Sequence, residues 1–75
     1  MNNQRRTAIR KAEAQITSVR DALQSVLDAE QEAMDNVPES LQDSDRYSAM
    51  EEAVDALETT LSSLDDAIDA LSGIE

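Results

Sequence analysis

Ile9, Ile16 and Leu23 recur every seven residues, and Ala12, Val19, Val26 and Ala33 recur at the same interval between them. Apolar positions spaced in alternate steps of three and four form the seam of a coiled-coil-like helix. Leu27 and Met34 stand one place beyond Val26 and Ala33. They widen the seam toward the stripe of about 100° that a helix shows when it packs on more than one neighbour. The pattern predicts a first helix over residues 4–35.

Asn36-Val37-Pro38 ends that helix, because proline disfavours helical geometry in the residue before it and cannot donate to the preceding turn. Residues 36–44 read as a connector, in which Pro38 and several Ser and Asp residues allow one short helical turn. Asp43 or Ser44 is the expected cap of a second helix, with Ser48 and Glu51 as a later capping box.

The second helix, over residues 45–72, carries a stricter pattern. Met50, Leu57, Leu64 and Leu71 form one column, and Tyr47, Val54, Leu61 and Ile68 form the other. Ala53, Thr60 and Ala67 broaden it on one side, and Gly73 is placed to stop it. Two helices joined by a connector this short lie antiparallel. Folding at residues 38–42 sets Met34 near Tyr47, Leu27 near Val54, Leu23 near Leu57 and Ile16 near Leu64, so large residues meet large ones.

The fold expected is therefore all-α, a single antiparallel two-helix hairpin domain over residues 1–75. Its seam comprises Ile9, Ile16, Val19, Leu23, Val26, Leu27 and Met34 from the first helix, and Met50, Val54, Leu57, Leu61, Leu64, Ile68 and Leu71 from the second. A chain of 75 residues has a marginal core, and two stripes this wide cannot be hidden along one line of contact. A homodimer forming an antiparallel four-helix bundle is the simplest completion. With no cysteine and no histidine, neither a disulfide nor a structural zinc site of the usual kind is open to it.

Charge is distributed unevenly. Arg5, Arg6, Arg10, Lys11 and Arg20 against Glu13 give +4 up to residue 20, whereas sixteen acidic residues oppose only Arg46 from residue 21 onward, giving −15. The antiparallel register brings the basic start of helix one beside Asp65, Asp66 and Asp69 and beside the negative end of the helix-two dipole. A net charge of −11 repels nucleic acid and anionic lipid. No apolar run approaches the roughly 20 residues needed to span a bilayer, and no signal core follows the basic residues. These features lead us to expect a cytoplasmic chain, in a bacterium or in an infected cell.

Along helix two, Glu51, Asp55, Glu58, Asp65 and Asp69 follow steps of three and four with Ser62 in the one gap, and Glu52 and Asp66 lie alongside. Asp21, Asp28 and Asp35 form a narrower ridge on helix one. Carboxylates one helical turn apart are separated by roughly 5 to 6 Å, close to the spacing of successive phosphates. The ridge of Glu51, Glu52, Asp55, Glu58, Asp65 and Asp69 is thus a candidate partner-binding surface for a nucleic-acid-binding protein; the alternative is a face that only confers solubility. Glu30, in the column of Ile9, Ile16 and Leu23, is expected to reach water or to pair with Arg46.

Asp43, Asp45 and Glu51 lack the glycine and ligand spacing of a calcium loop. Paired carboxylates for acid–base chemistry need a pocket that separates their pKa values, which a narrow hairpin does not offer. No catalytic, cofactor-binding or metal-binding residues are therefore assigned, and Met34, Met50 and Tyr47 read as core plugs near the turn. The expected function is protein–protein interaction. A structural or assembly factor whose apolar stripe docks a partner is the alternative to an inhibitor with an acidic contact surface.

The run Asn36-Val37-Pro38-Glu39-Ser40-Leu41-Gln42-Asp43-Ser44-Asp45-Arg46-Tyr47, followed by Met50-Glu51-Glu52-Ala53, resembles a pattern in small acidic helical proteins of phages and prophages in Gram-positive bacteria, over residues 29–71. The resemblance implies a setting in which such proteins are often inhibitors of host defence, anti-CRISPR and anti-restriction proteins included. The basic N-terminal segment lies outside it.

Overall fold

A computed structural model describes residues 2–74, and among these the only regular elements are helical. Helix α1 spans Asn3–Asp35, a single 3-10 turn spans Glu39–Leu41, and helix α2 spans Asp45–Ser72. The two helices pack side by side as a hairpin measuring 60 × 14 × 14 Å.

Each helix begins where a side chain can take up an orphan backbone donor. The Asn2 side-chain oxygen accepts from Arg5 N–H at 2.8 Å, a cap that the apolar periodicity alone does not reveal. Ser44, one of the two expected caps of α2, accepts from Tyr47 N–H at 3.2 Å. Helix α1 stops ahead of Val37-Pro38 as expected, with Asn36 N–H donating to the Glu32 carbonyl. Pro38 sits at the cap of the 3-10 turn and not inside it.

Helix α2 ends at Ser72, but not for the reason glycine usually supplies. Gly73 has φ −77°, an ordinary right-handed conformation. No residue among those described has positive φ.

The core is small. Leu27, Val54 and Leu61 are buried, with Leu23, Met34 and Leu57 packed against them. Every residue of the α2 seam from Tyr47 to Leu71 turns inward, as its spacing requires. Helix α1 departs from expectation by one position. Its second inward column is Glu13, Arg20, Leu27 and Met34, whereas Val19 and Val26 are 53% and 51% exposed, and Ala12 and Ala33 are exposed with them.

The physical reason is that three seam positions on α1 are polar, so hydrophobicity alone assigns the wrong column. Glu13, Arg20 and Glu30 are half-buried because each lies on the line that faces α2. Their long aliphatic stems cover apolar surface while their charged ends reach the edge of the seam. Of the two alternatives for Glu30, the pair with Arg46 is not formed; the ion pairs among the described residues are Arg10–Glu13, Arg20–Asp21 and Arg20–Asp65.

Candidate partner-binding surface

Seen in cross-section, a hairpin of two antiparallel helices has two broad faces. A position one residue after the seam lies on one face in both helices, and a position one residue before the seam lies on the opposite face in both. Gln31 of α1 and Glu58 of α2 each stand one residue after a seam position, and they share a hydrogen bond of 3.4 Å, Nε2 donating to Oε1. That contact fixes the first face. It carries Asp21, Asp28 and Asp35 from α1 and Glu51, Asp55, Glu58, Asp65 and Asp69 from α2.

Two ridges expected separately from the sequence therefore merge into one acidic face. Within it the charge is graded. Towards the open end of the hairpin, Arg20 Nε donates to Asp65 Oδ1 at 2.8 Å and Arg20 Nη2 to Oδ2 at 3.4 Å. This forked hydrogen bond, more than the opposite charge beside it, holds the Asp65 carboxyl below the ordinary carboxylate range and raises the Arg20 guanidinium. Arg10 pairs with Glu13 at 3.1 Å, and Glu13 also accepts from Ser72 Oγ at 2.9 Å.

Towards the connector no cation stands on this face. Asp28, Asp35, Glu51, Asp55 and Glu58 are all exposed, and the partners they have are the Gln24 and Gln31 amides, with Gln24 Nε2 donating to Asp28 Oδ1 at 3.0 Å. Of the six acidic residues singled out on α2, Asp65 is thus committed to Arg20, and Glu51, Asp55, Glu58 and Asp69 lie along the face. Glu52 lies with Asp66 on the outer edge of α2, one further position round.

Arg10 joins the two ends of the hairpin. Its Nη1 donates to the Leu71 carbonyl at 3.1 Å and its Nη2 to the Ile74 carbonyl. Helix α2 has no basic residue in its last turn, so the cation complementing its dipole comes from α1.

The second face was not recognised in the sequence as a unit. On α1 it runs from Ala8 to Ala33, and on α2 from Ala49 to Ala70, both in alternating steps of four and three. Its fifteen positions hold ten of the chain's eleven alanines together with Val19, Val26, Gln15, Thr60 and Ser63. None of the seventeen acidic residues is on it. The signal was present as a period-seven recurrence, but alanine is ambiguous between a seam residue and a neutral helix former.

At the connector a hollow of 390 Å³ is lined by Asn36, Val37, Pro38, Leu41, Ser44, Arg46, Tyr47 and Met50. Tyr47 and Met50 are half-buried there, and Leu41 is 55% exposed. No helix among the described residues is long and apolar enough to cross a membrane, and no cluster of three or more potential metal ligands occurs among them. Comparison with known proteins finds no matching family model, no matching curated protein and no matching solved structure.

Proposed function

We propose that the chain is a small, non-catalytic interaction protein of the phage type, and that it binds and inhibits a nucleic-acid-binding host protein such as a defence nuclease. In this reading its acidic face stands in for a phosphate backbone. The observation that carries it is the side-by-side placement of Asp28 and Asp35 on α1 with Glu51, Asp55 and Glu58 on α2, all exposed and with no cation among them. A row of carboxylates repeating at about one helical turn along α2, beside a sparser row at about two turns along α1, offers a basic groove a line of negative charge resembling a duplex edge. The same reading has the hairpin pair with a second copy into a four-helix bundle that keeps these rows outward.

The test is a binding experiment on bacterial lysate with the wild-type chain and an E51K/D55K/E58K variant side by side. The reading expects a protein that only the wild type retains, released both by duplex DNA and by raised salt. Retention insensitive to salt, or equal on both baits, overturns it.

The alternative, an assembly factor, has a specific observation behind it in the exposure of Val19 and Val26. A partner of that kind docks on the second face, since Leu57 and Leu64 already turn into the seam. Val26→Glu then abolishes partner binding in a chain that is monomeric to begin with.

A further inference from the structure

We infer that the second copy in that reading covers the alanine face, stacked so that α1 of each hairpin lies over α2 of the other with both connectors at the same end. The inference rests on the self-association in the functional reading and not on the identity of any target of the acidic face.

The hairpin exposes 5452 Å² at a mass of 8.2 kDa. A folded monomer of that mass is expected to expose about 4,500 Å². The excess of about 900 Å² matches the roughly 800 Å² per partner that a standard specific interface covers.

Composition says which face is covered. A chain with seventeen acidic residues has put none of them at the fifteen positions of this face, although its other broad face is crowded with them. The largest apolar side chains on it, Val19 and Val26, are half exposed in the single hairpin. Alanines on both surfaces let helix axes approach to the short end of the usual range, about 8 Å, so a flat face can be dry without large side chains.

Charge selects the orientation. Over its own span α1 carries five basic and six acidic residues, net −1, whereas α2 carries one basic and eight acidic, net −7. Two hairpins stacked with connectors at opposite ends set α2 against α2, and two charges of −7 oppose each other along the whole contact. With connectors together, each α2 faces the less charged α1. Like charges placed in register oppose association, so the first stacking is disfavoured.

The experiment uses the full chain. Sedimentation equilibrium across the micromolar range is expected to show a dimer. Val26→Glu and Ala56→Glu, on different helices but both at exposed positions, are each expected to raise the dissociation constant by at least about ten-fold with helix content unchanged by circular dichroism. A monomer throughout overturns the inference, as does a dimer indifferent to both substitutions.

The chain has no cysteine, so single introduced thiols report the orientation directly. With a short bis-maleimide, Ser40→Cys chains are expected to link to one another, and mixtures of Asn3→Cys with Ser40→Cys chains are not. Linking only in the mixture overturns the stacking. A dimer with the expected links that retains no DNA-releasable protein leaves this inference standing and sinks the functional reading alone.

Discussion

Arg20 and Asp65 meet across the seam 45 positions apart in sequence, the guanidinium forked over the carboxylate at 2.8 and 3.4 Å. Arg20 stands on the seam line of α1 and Asp65 one residue after a seam position of α2, and the pair closes the hairpin between the buried cluster of Leu27, Val54 and Leu61 and the chain ends. Because the hydrogen bond depresses the Asp65 pKa in the folded chain, its contribution to stability is fully present above the unfolded carboxylate value and is lost as pH falls through the folded one.

That linkage predicts a pH signature. As pH falls below about 4 and on through the lower folded-state value, wild type and Asp65→Asn are expected to converge in thermal midpoint, whereas near neutrality the wild type melts higher. Acidification also relieves the repulsion of a chain with net charge −11, so the difference between the two proteins is the informative quantity and not either curve alone. A midpoint difference that does not change with pH removes the pair from the stability of the fold.

Leu27→Ala and Val26→Ala, adjacent in sequence, are expected to behave very differently at dilutions where the chain is monomeric. Leu27 is 6% exposed and its truncation removes part of a three-residue core, at a cost of about 2–4 kcal/mol. Val26, on the open face, costs under about 0.5 kcal/mol. Denaturant titration of the two variants checks the one-position shift of the α1 seam, and equal losses contradict it.

That shift shows how far the sequence could be read. On α2 the seam is apolar at every step from Tyr47 to Leu71, so periodicity placed each residue and both helix boundaries agree with the structure. On α1 the correct second column contains Glu13 and Arg20, and a competing column of Ala12, Val19, Val26 and Ala33 is more uniformly apolar. Only Asp65 and Ser72 on the facing helix make the charged choice the satisfied one, and those partners are set by tertiary register. The two acidic ridges were legible singly, but their union on one face was not, since it follows from the same register.

The bond from Arg10 to the carbonyls of Leu71 and Ile74 predicts local fraying without global unfolding. In Arg10→Gln, amide exchange over residues 70–74 is expected to accelerate a few-fold, corresponding to a capping contribution of about 0.3–1 kcal/mol. Exchange at Val54 and Leu61 should be unchanged. Uniform acceleration along α2 would instead place Arg10 in the stability of the whole hairpin.

Gly73→Ala tests what ends α2. A glycine after a helix commonly adopts a left-handed conformation that a side chain resists, and replacing it then destabilises. Here φ is −77°, and an added Cβ would meet the carbonyl oxygens of Ala70 and Asp69 at 3.6 and 3.8 Å, ordinary van der Waals distances. The substitution therefore costs the native state nothing and removes conformational freedom from the unfolded chain, a gain of about 0.4–1 kcal/mol. Extension of the helix past Ser72 remains limited, because the carbonyls at this end are held by Arg10 and not by backbone geometry at residue 73. A rise in thermal midpoint with the Arg10 contact kept supports that account, and a loss of stability would mean that Gly73 takes a left-handed conformation in solution.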